Sequence, residues 1–339
     1  MTESINATVK KSRDITLRIL LFLWIVASCG SPVTVHGQTS STASQSVVAD
    51  YANNGLNGPT AVAVGRSGSV FIADTGNNRV LEIPWEVESK KYGAQRVLID
   101  GLFNPTGIAV AANEDLFIAD SGNNRIVELP FNRVNQTYGE AVALGGGLLT
   151  PQALAAGPGG DLYVADTGNN RVLMLPWDSK TGAFGTAEIL GTNFFTPEGI
   201  AMGPGGKLFI ANFGNSTVVE LQVKCQAANE CGEQTVVADS SSNSLINPAG
   251  LAVSAGGSLL IAQPNSNKVV QLTWNRTTGA LSSQVTLGTE LNSPSGVAVD
   301  TAGNVYVADT LNNRILKIVQ QQTSSQTNSG LAPSRNKRH

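Results

Sequence analysis

PTAVAVGRSGSVFIADTGNNRV, residues 59–80, reads as a strand, a tight turn, a second strand and a polar turn into a third, and the chain carries six versions of it. Each version opens on a proline, at Pro59, Pro105, Pro151, Pro197, Pro248 and Pro294, at intervals of 46, 46, 46, 51 and 46 residues. A period of this length marks an architecture in which one supersecondary unit is copied. In the first strand of every copy one face holds only Gly or Ala, as at Ala61 and Ala63, while the other is mostly Val, Ile, Leu or Met. Strand side chains alternate between faces, so one face is shaved flat and its opposite is filled. Sheets packed around a narrow axis require that asymmetry, which makes this the innermost strand.

The second strand ends in an acid or amide (Asp74, Asp120, Asp166, Asn212, Gln263, Asp309), and a Gly/Asn turn leads to a third strand such as 79–83. Outer strands are expected over 95–100, 140–145, 187–191, 234–239 and 284–288, five in all, with none after the sixth copy. The missing one stands at the other end of the chain: QSVVAD, 45–50, nearly duplicates QTVVAD, 234–239. The expected fold is therefore all-β, a six-bladed β-propeller of four-stranded antiparallel blades whose N-terminal strand closes the last blade and leaves little exposed edge. Helix is not expected inside the repeats.

The repeats fill 45–320 and leave no room for a second core. Ahead of them, Lys10, Lys11, Arg13 and Arg18 precede an apolar run from Ile19 to Ala27, the pattern of an export signal and too short for a permanent membrane helix. Two exits are legible. Cleavage after Gly37 gives a signal peptide of 1–37; alternatively Val26-Ala27-Ser28-Cys29 resembles a lipobox, with a signal of 1–28 and lipidation at Cys29. Residues 38–44 form a linker, and the Gln/Ser/Asn-rich 321–339 is expected to be a disordered tail. Either exit leaves Cys225 and Cys231 as the expected disulfide pair in an oxidising compartment, closing the insertion that stretches one interval to 51, with a metal or redox pair as the alternative. The expected location is periplasmic or extracellular, or lipid-anchored at the cell envelope.

The turn Ala73-Asp74-Thr75-Gly76-Asn77-Asn78-Arg79-Val80, repeated around Asp120, Asp166 and Asp309, resembles the NHL repeat across essentially all of 45–320. The resemblance implies a β-propeller, commonly six-bladed, which agrees with the strand count. It also brings known uses to weigh. RNA binding by NHL domains needs a basic rim, whereas 45–320 carries 15 Lys/Arg against 23 Asp/Glu, so no nucleic-acid partner is expected. Amidating-lyase and antibiotic-lyase propellers use histidines inside the blades. Here His36 and His339 are the only two, both outside the repeats.

Four acid–base pairs recur: Asp74 with Arg79, Asp120 with Arg125, Asp166 with Arg171 and Asp309 with Arg314. Copies four and five have Asn212 with Thr217 and Gln263 with Lys268, so where the acid goes the arginine goes too. Paired loss predicts ion pairs that lock the turn within a blade. Trp85, Phe131, Trp177 and Trp274 recur after the third strand and read as packing.

The exception to the repeat is Glu198, the one charged residue directly after an opening proline, where other copies have Thr60, Thr106, Gln152, Ala249 and Ser295. Glu198 and Asn212, with Asp166 or Asp120 next door, are candidate rim residues for a ligand, and Glu198 with Asn212 a candidate pair for Ca²⁺ or another divalent cation. Gluconolactonase-type propellers, which the fold resembles, hold a metal with such a set, although their defining motifs are absent. No catalytic set and no obligatory cofactor emerge. The function read from the sequence is an extracytoplasmic binding module for a protein, peptide or envelope glycan, meeting a membrane only through a lipid anchor. The alternative is a metal-dependent lactonase or hydrolase.

Overall fold

A computed structural model describes residues 43–223, 232–275 and 277–320. The export signal, Cys29, Cys225, Cys231 and the tail lie outside the described residues.

Six four-stranded antiparallel sheets form the ring. Blade one pairs Ala61–Val64, Val70–Asp74, Arg79–Ile83 and Arg96–Ile99 in that order from the axis outward, and blades two to five repeat it. The sixth blade takes its inner strands from Pro294–Val299, Val305–Asp309 and Arg314–Val319 and its outer strand from Ser44–Asp50. Ser44 stands opposite Val319 and Asp50 opposite Arg314, with a bulge between Val47 and Ala49. Gln45 strengthens the closure by exchanging two hydrogen bonds with the Thr289 backbone, at 3.0 and 3.3 Å. The core is divided between the blades, each interface holding its own apolar cluster, such as Ile72, Leu81, Ala308 and Ile315 between blades one and six.

The shaved face of the inner strand has a specific cause. A Cβ on Gly199 would lie 1.8 Å from the Ala249 carbonyl oxygen, and one on Gly296 2.5 Å from that of Thr60. At these glycines the backbone of one blade presses on the next with no room for a Cβ.

The outer strands are shorter than expected in blades two and three, Val142–Leu144 and Glu188–Leu190. Blade five differs in the other direction: Lys268–Trp274 and Leu281–Leu287 form one long hairpin. A single helical turn, Tyr51–Asn54, sits just before the first repeat, capped by Asp50, which accepts from the Asn53 N–H at 2.7 Å. Four residues are too few to leave a periodic signal.

Candidate functional site at the channel mouth

Strand direction assigns the faces. Each inner strand follows its proline and runs away from one face; the second strand returns and delivers its terminal Asp, Asn or Gln there, as Pro105 opposite Asp120 shows. The third strand leaves again and ends on the opposite face. There the hairpins 85–92, 131–138 and 177–184 emerge, each closed by an aromatic pair such as Trp85 with Tyr92 at 5.0 Å.

On the proline face the repeated turn resolves into individual tasks. Asp166, fully buried, accepts at Oδ1 from the Leu149 N–H at 2.8 Å and at Oδ2 from Asn169 at 2.8 Å and Arg171 Nε at 2.6 Å. Asp74, Asp120 and Asp309 repeat this, with Arg Nε at 2.7, 2.7 and 2.6 Å. In blade four the Asn212 Oδ1 accepts from Phe195 N–H, and in blade five the Gln263 Oε1 accepts from Ile246 N–H. One acceptor oxygen to hold the incoming loop is common to all six, which is why an amide can replace the acid once the arginine is gone. The second asparagine of the turn sits in the left-handed region, φ 55° at Asn78, where Asn is tolerated, and its Oδ1 accepts from the next blade's Asn104 N–H at 2.8 Å.

Sequence reasoning overlooked the residue after the acid. Thr75, Ser121, Thr167 and Thr310 each donate a hydroxyl to the proline carbonyl of the neighbouring blade: Pro105, Pro151, Pro197 and Pro59. In blades one, two and six that hydroxyl also meets the post-proline side chain, Thr60, Thr106 or Ser295. The signal was present in the sequence as Thr, Ser, Thr, Phe, Pro, Thr at 75, 121, 167, 213, 264 and 310. Blades four and five break the pattern with Phe213 and Pro264.

The post-proline side chains surround a cup of about 160 Å³ over the constricted axis. Glu198 is the one titratable residue among those lining it, and no described residue hydrogen-bonds its carboxylate. Burial pushes that carboxyl up to about 7. The candidate ligand set separates here. Glu198 lines the cup, whereas Asp120, Asp166 and Asn212 are buried behind it and do not. Among the described residues no three His, Cys, Asp or Glu side chains cluster for a metal. A single carboxylate with neutral oxygens does not fit the mixed Glu/Asn/Asp set of the gluconolactonase type.

The NHL repeat matches residues 56–82, 104–129, 148–173 and 291–318. These are blades one, two, three and six, the four whose turns keep the Asp–Arg pair. The chain belongs to the NHL-repeat β-propellers. No curated protein matches the sequence. Among solved structures, this NHL propeller is similar to a gluconolactonase from Xanthomonas campestris at 17% identity, covering 82% of this chain and 90% of that one, with a TM-score of 0.63. It is also similar to a streptogramin B lyase at 17% identity, covering 78% and 79%, with a TM-score of 0.54. A nidogen/laminin complex matches at 16% identity, covering 71% and 84%, with a TM-score of 0.55. At such identities the likeness concerns the fold, which serves enzymes and protein-binding modules alike.

Proposed function

We propose that this NHL propeller is an extracytoplasmic binding module that takes a protein, peptide or envelope glycan on the face bearing the channel mouth. The observation that carries the reading is the division of labour on that face. The repeated polar side chains of the turns are occupied within and between blades, and the ring that varies from blade to blade, Thr60, Thr106, Gln152, Glu198, Ala249 and Ser295, faces the cup. A rigid frame presenting non-identical side chains at one opening suits recognition.

The hydrolase reading would use the same Glu198 with Asn212. Asn212 is buried and its amide oxygen accepts from the Phe195 N–H at 2.6 Å, an engagement in the fold that favours the binding reading over this one.

The test is capture from envelope extract on the immobilised full chain, comparing the wild type with Thr106→Val and Gln152→Ala at the mouth and with Arg133→Ala on the opposite face. The proposal expects a partner retained by the wild type and by Arg133→Ala and lost with the mouth variants. A partner indifferent to the mouth, or Ca²⁺-dependent lactone turnover abolished by Glu198→Ala, would contradict it.

A further inference from the structure

The cup has a lopsided chemistry. On the side of blades one, two and six the post-proline hydroxyls are paired with Thr75, Ser121 and Thr310. On the side of blades four and five, Phe213 and Pro264 stand where those hydroxyls would be, so no turn side chain pairs with Glu198 as the hydroxyls pair with Thr60, Thr106 and Ser295. Beside it, Ala249 and Pro264 supply no side-chain donor. A partly buried carboxylate with no donor is costly to keep, and a repeat that fills this position with Thr, Gln, Ala or Ser elsewhere does not need an acid for folding.

What would complete it follows from size and charge. About 160 Å³ is well below the roughly 300–1,000 Å³ of a pocket that encloses a whole small molecule, so the cup suits one functional group reaching in from a larger partner. The group must be cationic, to answer Glu198, and must donate several hydrogen bonds, because Thr60, Thr106, Gln152 and Ser295 offer oxygens around the opening. A divalent metal would leave excess positive charge against one carboxylate. A guanidinium is planar and broad, whereas an ammonium is compact and carries three donors.

We infer that the cup receives a protonated primary amine on a slender alkyl chain, held by the Glu198 carboxylate and the neutral oxygens around it. The inference rests on the binding-module reading and names the chemistry its partner presents. Occupancy by the cation requires Glu198 ionised, and no other titratable group lines the cavity, so affinity follows this one carboxyl.

The experiment titrates the full-length protein with n-butylammonium chloride at constant ionic strength, using calorimetry and thermal unfolding. Tetramethylammonium, 1-butanol and CaCl₂ serve as parallel probes. The inference expects saturable binding of n-butylammonium at pH 8, with none by tetramethylammonium or the alcohol. Glu198→Gln should weaken binding at least about tenfold while unfolding cooperatively. For the wild type, moving from pH 8 to pH 5.5 should weaken it about thirtyfold, the drop in ionised fraction for a carboxyl near 7. Equal binding by Glu198→Gln, no pH dependence, no amine binding, or preference for Ca²⁺ would each overturn the inference. An envelope partner lost with Thr106→Val but kept by Glu198→Gln would overturn it and leave the binding-module reading standing.

Discussion

The ammonium of Lys317 lies 5.5 Å from the centre of the Trp85 ring, joining the third strand of blade six to the hairpin of blade one. Tyr306 and Tyr92 complete the enclosure at 5.3 and 5.9 Å, and their hydroxyls are 2.9 Å apart, with the Tyr306 hydroxyl donating to Asp300 at 3.1 Å. Burial raises the Tyr92 and Tyr306 hydroxyl pKa values, so both rings stay neutral beside the cation. Lys317 is thus a lock on the seam where the two ends of the ring meet. Cation–π contacts are worth about 0.5–2 kcal/mol. Lys317→Met, which keeps the length and removes the charge, is expected to lower stability by about 1 kcal/mol in urea unfolding. The same change at the exposed Lys180, on a hairpin tip, should leave the midpoint unmoved.

The turn locks predict non-additivity. Asp166 is fully buried and its Oδ2 is held by Arg171 at 2.6 Å. Asp166→Ala strands the Leu149 N–H and the arginine together and should cost about 3–5 kcal/mol. Adding Arg171→Ala should cost less than the sum of the two single changes by about 1–3 kcal/mol, as neighbours in one network do. A double-mutant cycle by denaturant unfolding that returned strict additivity would remove the lock from the account.

Blade spacing at the axis can be probed with one methyl group. Gly199→Ala places a Cβ 1.8 Å from the Ala249 carbonyl and must push blades four and five apart, at an expected cost of about 2–3 kcal/mol. Gly146→Ala meets nothing within 4 Å and should change stability by less than about 0.5 kcal/mol. Thermal unfolding of both variants makes the comparison.

Glu198 gives a pH signature. Its carboxyl is raised from 4.5 to about 7, so the native state holds the proton more tightly than the unfolded chain. Stability from this group is full below about pH 4.5 and declines as pH rises through 7. The loss approaches about 3 kcal/mol at most, at 1.36 kcal/mol per pKa unit. Glu198→Gln lacks this titration. The difference in unfolding free energy between variant and wild type should therefore grow in the variant's favour from pH 5 to pH 8, which urea titrations across that range would measure.

Much of the fold was legible because repetition multiplies weak signals. One Asp-Thr-Gly-Asn-Asn-Arg turn is only suggestive, but six aligned copies expose the flat inner face and the strand count, and the likeness of 45–50 to 234–239 shows how the circle shuts. Blade five's long hairpin was less legible. Trp274 aligns with Trp85 and Trp177, yet it ends a continuous strand instead of opening a short hairpin. The site was legible as an exception: Glu198 breaks a neutral series. Its candidate partners were not, because Asp120, Asp166 and Asn212 share a rim with it in sequence alignment while their oxygens face the incoming loops. Side-chain direction at a turn depends on which backbone N–H lies within reach, and residue type alone does not report that.

Ser44–Asp50 completes blade six, the blade whose inner strand brings Ser295 to the cup beside Thr60 of blade one. Hydrogen exchange of the backbone amides in 44–50, followed by mass spectrometry on the native protein, tests this most directly. The account predicts protection matching that of Arg314–Val319, with both segments deprotected together by Lys317→Met. Exchange of 44–50 at the rate of an unstructured chain while 314–319 stays protected would contradict it.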